Sequence, residues 1–326
     1  MSRLFTKFFC FLFCILLCVQ VFAAPEDGVK KVIDQFLIDE GLDASNFAMS
    51  YYNPTTGESY SFNSDAFVPV DRLRFLPTHM YFYEEEIKGT FEPETPEEPP
   101  FTIGGMSLED CRYHSIIRGE SDISEKMQAQ IGNAMQYLEL VNNRYGQLDP
   151  TTLPKEYWEG RSLSITFLMN CIRAVSSRPE LYTGLMSNYS MVQQADAFAQ
   201  GTSAYPIVQI RDESQDSITA VAEISAPQSF LLVASVSKPG RGDEILGKLN
   251  KALCNYILEG LGENPIEDST QQPTSHSNSN YYIGEDRLAK DPTLDRWLIV
   301  TFVIAGVLAI VAIIIQAIWR NRHRHY

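Results

Sequence analysis

Phe67-Val68-Pro69-Val70-Asp71-Arg72-Leu73-Arg74-Phe75-Leu76-Pro77 is the segment from which the rest of this 326-residue chain can be placed. A helix is expected from about Asp71 to Lys88. At i, i+3 spacing Asp71 and Arg74 would share one helix face, where an exposed ion pair is worth about 0.2–0.5 kcal/mol. No lysine occurs between Lys31 and Lys88, so this helix offers no amine as a proton acceptor. Arginine does not replace one, because its guanidinium stays protonated.

Outward from this helix, period and punctuation give an order of elements. Val29, Val32, Ile33, Phe36 and Leu37 form an i, i+3, i+4 stripe that ends at Gly41. The alternating runs Phe47-Met49-Tyr51 and Tyr60-Phe62 flank Asn53-Pro54-Thr55-Thr56-Gly57, a hairpin signal. Helices are expected at Ser107 to Arg118, Ser121 to Asn143, and Leu163 to Val192 with a break near Pro179. An acidic, proline-rich loop, Glu92 to Pro100, precedes them. Three strands follow, Ile207–Arg211, Ile218–Ile224 and Phe230–Ser235, and then an amphipathic helix from Glu244 to Leu258. Packing the terminal helices on one face of a five-stranded antiparallel sheet buries both stripes, and the central helices form a lobe. The expected class is therefore α+β.

This order resembles the class A β-lactamase and penicillin-binding serine hydrolase family over about Val29 to Leu261. Tyr51-Tyr52-Asn53-Pro54-Thr55-Thr56-Gly57-Glu58 looks like the family's first hairpin, and Met80-Tyr81-Phe82-Tyr83 continues its nucleophile helix. Ser107-Leu108-Glu109-Asp110 with Tyr113 and Ser115-Ile116-Ile117 looks like the helix before the second motif. Pro227 with Phe230-Leu231-Leu232-Val233-Ala234 looks like the last strand. The family's first motif reads roughly F-x-P-A-S-x-x-K-x-P, with serine as nucleophile and lysine one turn later as base. Here one residue too many separates Phe67 from Pro77. Anchored on Phe67, Asp71 and Arg74 stand at the serine and lysine positions; anchored on Pro77, Arg72 and Phe75 do.

The other motifs implied by the resemblance are also altered. Ser-x-Asn corresponds to Gly119-Glu120-Ser121, or by a shift of two to Ser121-Asp122-Ile123, where Ser121 or Asp122 is expected to cap a helix. Lys-Thr-Gly corresponds to Ile210-Arg211-Asp212, in a span with no lysine from Lys155 to Lys238. Arg211 could hold a carboxylate, with Asp212 beside it opposing an anion. The family's Ω-loop glutamate has no counterpart in Tyr145-Gly146-Gln147-Leu148-Asp149. The literal Ser235-Val236-Ser237-Lys238 ends a strand, the wrong geometry for that motif. Arg241-Gly242-Asp243 sits at a turn into a helix, and Asn188-Tyr189-Ser190 is a glycosylation sequon. His79, His114 and His276 are isolated, and neither a metal nor a cofactor site is expected.

The ends imply a place. Arg3 and Lys7, the apolar run Phe8 to Phe22, and Ala23-Ala24 describe a secretory signal peptide over residues 1–24. Residues 297–319, bounded by Trp297 and Trp319, would span about 35 Å as a helix, enough to cross a bilayer. Arg320, Arg322 and Arg324 follow, so the tail 320–326 is expected in the cytosol and the rest outside. A polar stalk, 262–296, would tether the domain 25–261. The chain carries 26 basic and 41 acidic residues; without Arg3, Lys7 and the tail arginines, 21 basic residues remain, a balance of −20 that repels nucleic acid. After signal removal three cysteines are left, Cys111, Cys171 and Cys254, read as small buried hydrophobes or as one bridge with a spare thiol. The expectation is a membrane-anchored, catalytically silent module that binds a cell-wall or surface protein or peptide. The alternatives are a hydrolase or transpeptidase using displaced residues, and a structural or adhesion module.

Overall fold

Seven consecutive residues, Phe230-Leu231-Leu232-Val233-Ala234-Ser235-Val236, are buried without exception, and in a strand that requires cover on both faces. The computed structural model supplies it. The structure describes residues 27–93, 95, 99–146, 153–192, 197–199 and 205–266. Internal contacts divide the chain into a unit Met1–Asp268 and a second, Ser269–Tyr326; all described residues belong to the first.

The chain enters through helix α1, Asp27–Glu40, and the hairpin strands β1, Phe47–Tyr52, and β2, Ser59–Phe62. It closes with β7, Ile207–Ser214, β8, Ser217–Ile224, β9, Phe230–Val236, and a long helix over Gly242–Leu261. These five strands form one antiparallel sheet in the order β2-β1-β9-β8-β7, so β9 is central. Alternation along β9 divides the core. Phe230, Leu232, Ala234 and Val236 face the terminal helices, meeting Val29, Ile33, Ile245, Leu249 and Leu253. Leu231 and Val233 face the other way, into the helical lobe around Leu168, Ile172 and Tyr182. Each large apolar side chain fully buried here contributes about 1.5–3 kcal/mol.

The lobe is threaded between the two halves of the sheet. Strand β3, Phe67–Pro69, leads through a 3-10 turn, Leu73–Phe75, into helix α2, Leu76–Ile87. The small hairpin β4–β5, Thr102–Ile103 and Met106–Ser107, precedes α3, Leu108–Arg112, whose continuation Tyr113–Ile117 is π-helical. Helices α4, Ser121–Ile131, and α5, Ala134–Val141, follow, with a second π-helical turn at Asn142–Gly146. A single turn α6, Lys155–Trp158, strand β6, Ser162–Ser164, and helices α7, Ile165–Ser177, and α8, Pro179–Met191, complete the lobe. The helix Gly242–Leu261 is α9.

Several boundaries differ from the sequence expectation. Asp71 precedes the helix instead of starting it, because the chain first makes the 3-10 turn. The expected helix Ser121 to Asn143 breaks at Gly132, where Asn133 and Gln136 form a reciprocal capping box for α5. Ser121 is the first residue of α4 and caps nothing; Glu120 stands at the cap with no side-chain bond. Leu163 lies in β6, which pairs with β3 and ties the start of the lobe to the entry of α7. Cys111, Cys171 and Cys254 are free and buried. Among the described residues no helix is long and apolar enough to cross a membrane. The expected signal peptide, stalk beyond 266, span and tail lie outside the described residues.

One buried charge fastens the lobe. Glu84 on α2, 6% exposed, accepts from Arg144 Nη1 at 2.7 Å, Tyr145 Oη at 3.0 Å, Arg178 Nη2 at 3.1 Å and the Tyr182 hydroxyl. Three elements therefore converge on one carboxylate. Removing a buried partner strands the charges it satisfied. Glu84→Ala is expected to destabilise the domain by about 3 kcal/mol, measured by urea unfolding; a loss no larger than an exposed-site substitution would contradict this role.

Candidate functional site

Strand β7 carries Ile210, Arg211 and Asp212, and strand alternation sends them apart. Ile210 joins the core on the helical-lobe side. Asp212, two residues on, points the same way and reaches the start of the helical segment. Its Oδ2 accepts the Asp71 N–H at 2.8 Å and the Leu73 N–H at 2.7 Å. Arg211 points to the opposite face, where Nε and Nη2 make a two-pronged contact with Asp243, both at 2.8 Å. Nη2 also meets Glu213 at 3.0 Å. Arg211 is thus already committed to carboxylates of its own chain.

The Asp212 contact is the dominant feature of this site. Free N–H groups at the start of a helix attract anions. In acyl-transfer sites, donors of this kind stabilise a developing oxyanion. Here the protein's own carboxylate takes them. Asp212 is only 3% exposed, and burial pushes its carboxyl above the ordinary carboxylate range against the pull of the Leu73 and Asp71 N–H groups.

The two other motif positions converge on the same entrance but present no reacting group. Asp71 is exposed. The expected Asp71–Arg74 ion pair is not formed: Arg74 Nε donates to the Asp71 backbone oxygen at 3.1 Å, and Nη2 pairs with Glu125 at 2.9 Å. Arg72 donates from Nη2 to the Ile116 carbonyl at 2.5 Å and lies against Gly119. Gly119 has φ +69°, and a Cβ built there would stand 3.3 Å from the Arg72 Cζ. Backbone and neighbour both favour glycine at this position. A guanidinium therefore fills the space beside Gly119-Glu120-Ser121.

His79 is the buried histidine nearest this chemistry. Its Nδ1 lies 2.6 Å from the Tyr189 hydroxyl. Burial, then the charges of Arg72 and Arg112, pushes it down to about 3, so it is neutral at physiological pH. Ser235 of the literal Ser-x-x-Lys is buried on β9 with its hydroxyl 2.8 Å from that of Thr219. Arg241 pairs with Glu40 and Glu244 while Asp243 holds Arg211, so the Arg-Gly-Asp tripeptide is spent on internal contacts. Among the described residues no group of three or more His, Cys, Asp or Glu is placed to hold a metal.

Beside Arg74 opens a cavity of about 340 Å³, lined by residues of α4 and α5 together with Trp158 and Phe167. Glu125, Tyr137, Trp158 and Glu159 meet there, a grouping the sequence reading missed. Nothing in their spacing along the chain announces it, because the tertiary fold brings them together.

No protein-family model matches the chain, and no curated protein matches it. Solved structures do. PBP-A superposes with a TM-score of 0.57 at 12% identity, covering 70% of this chain and 96% of that one. A β-lactamase from Sphaerobacter thermophilus DSM 20745 gives 0.53 at 12%, covering 70% and 96%. One from Chitinophaga pinensis DSM 2588 gives 0.55 at 9%, covering 71% and 99%. The described domain has the fold of the β-lactamases and PBP-A.

Proposed function

We propose that this β-lactamase-like domain is catalytically silent, is held outside the cell by a single membrane span, and binds a cell-wall or surface protein or peptide. The observation that carries the silent assignment is Asp212 on the Asp71 and Leu73 amides. A nucleophilic serine mechanism needs a hydroxyl, a base, and free donors for the oxyanion. Asp71 or Arg72 stands at the hydroxyl, Arg74 or Phe75 at the base, and the donors are occupied. The outward placement is supported by the sequence of residues 1–24 and 297–326.

A mutant of PBP-A, similar in fold, has been captured as an acyl-enzyme complex with penicillin G, which makes that compound the natural probe. Intact-mass spectrometry after incubation with penicillin G is expected to show no adduct. The double variant Asp71→Ser/Arg74→Lys should also remain unmodified, since Asp212 still fills the donor site. A stoichiometric adduct on the wild-type chain would overturn the proposal.

Asp212 should also set a pH dependence. Its folded pKa lies above the unfolded one, so its contribution is greatest at low pH and is lost as pH rises through the raised folded value. The stability difference between wild type and Asp212→Asn is therefore expected to shrink in that direction. Asp212→Ala, which leaves two N–H groups unpaired, should cost about 1–3 kcal/mol. A pH-independent difference in chemical denaturation would refute this assignment.

The topology is tested by adding protease to intact cells. Cleavage within 268–280, which is polar and low in large apolar residues, should release a folded domain and leave a C-terminal tag protected. Labelling of that tag from outside would show the orientation to be wrong.

A further inference from the structure

The cavity beside Arg74 has an apolar floor and a polar rim, most of whose side chains are already paired within the chain. Its floor is Leu138, Val141, Leu163 and Phe167, all buried, and the partly exposed Trp158 forms a wall. Most of the polar side chains around it are engaged elsewhere, the Gln128 amide excepted. Arg74 is held by Glu125 and by the Asp71 carbonyl, with its guanidinium 4.4 Å from the Phe75 ring centroid. The Tyr137 hydroxyl accepts from Thr78 at 2.8 Å and donates to the Arg74 carbonyl at 3.3 Å. Asn133 is used in its capping box, and Glu159 pairs with Lys155 and Arg161.

A cavity of about 340 Å³ is the size of a small-molecule site, and such sites orient a polar ligand through a few unpaired polar groups. A ligand charge would lose hydration against the buried apolar floor of Leu138, Val141, Leu163 and Phe167, which offers it no partner. A neutral ligand avoids that cost, and the aromatic side chains Trp158 and Phe167 in the lining favour a ring over a chain. We propose that this cavity is a binding site for a neutral aromatic small molecule, beside the entrance occupied by Asp212 and sharing Arg74 with it. The site lies wholly in the helical lobe: none of its walls comes from β7. It goes beyond the silent-module proposal and does not depend on it, because penicillin acylation tests one and ligand capture tests the other.

The test uses the full-length chain in detergent and the neutral photoprobe 3-trifluoromethyl-3-phenyldiazirine, with labelled peptides mapped by mass spectrometry. Saturable labelling is expected in peptides containing Gln128–Leu138 and Trp158–Phe167. Excess unlabelled naphthalene should suppress it at least tenfold, whereas naphthalene sulfonate should compete weakly. Ala129→Phe, at an exposed position on the mouth, should reduce it by a similar factor with near-UV dichroism unchanged. The naphthalene competition is read on the wild-type chain, so it stands even if the variant misfolds. Labelling confined to residues 297–319, labelling that naphthalene does not suppress, or equal competition by the sulfonate would overturn the proposal.

Discussion

A carboxylate removed from water must be neutralised, protonated or surrounded by donors, and Asp212 is surrounded. Its two short contacts, to the Asp71 and Leu73 amides, join the edge strand β7 to the first turn of the lobe. That one junction ties the sheet to α2, and α2 in turn carries Glu84, on which Arg144, Tyr145, Arg178 and Tyr182 converge. The lobe is therefore positioned by two buried acids, one at each end of the same helical segment. Both are satisfied by groups from distant parts of the chain, which makes the arrangement specific as well as cohesive.

The same junction is what supports the proposal that the site is catalytically silent. An acyl-transfer centre keeps its donors free until charge develops. Here the donors are occupied in the resting fold, the neighbouring guanidinium of Arg72 is fixed on Ile116, and Arg211 is turned to the other face of its strand.

Much of the fold could be read from periodicity. The stripes Val29–Leu37 and Ile245–Ile257, the alternation in the hairpin Phe47–Tyr51 and Tyr60–Phe62, and the short apolar runs of β8 and β9 placed the sheet and its terminal helices, since burial on defined faces leaves a regular mark. The short pieces could not be read. Strands β3 and β6 have three residues each and form only because tertiary contact brings Phe67–Pro69 beside Ser162–Ser164. The role of Asp212 was half legible. The sequence reading set it against Arg211 as a neighbour, yet the two-residue period of a strand already separates them. Its partner, a pair of backbone amides, has no side-chain signature at all. The cavity beside Arg74 left no trace for the same reason, because its walls come from three separated segments, 74–77, 125–141 and 158–167.

The central claim concerns two amide protons. Hydrogen exchange and chemical shift at Asp71 and Leu73, followed by NMR from acid to neutral pH, report directly on whether Asp212 holds them. The account predicts strong protection of both amides and a shared downfield movement as Asp212 ionises, absent in Asp212→Asn. Exchange at the rate of an unprotected chain, with no common titration, would contradict it.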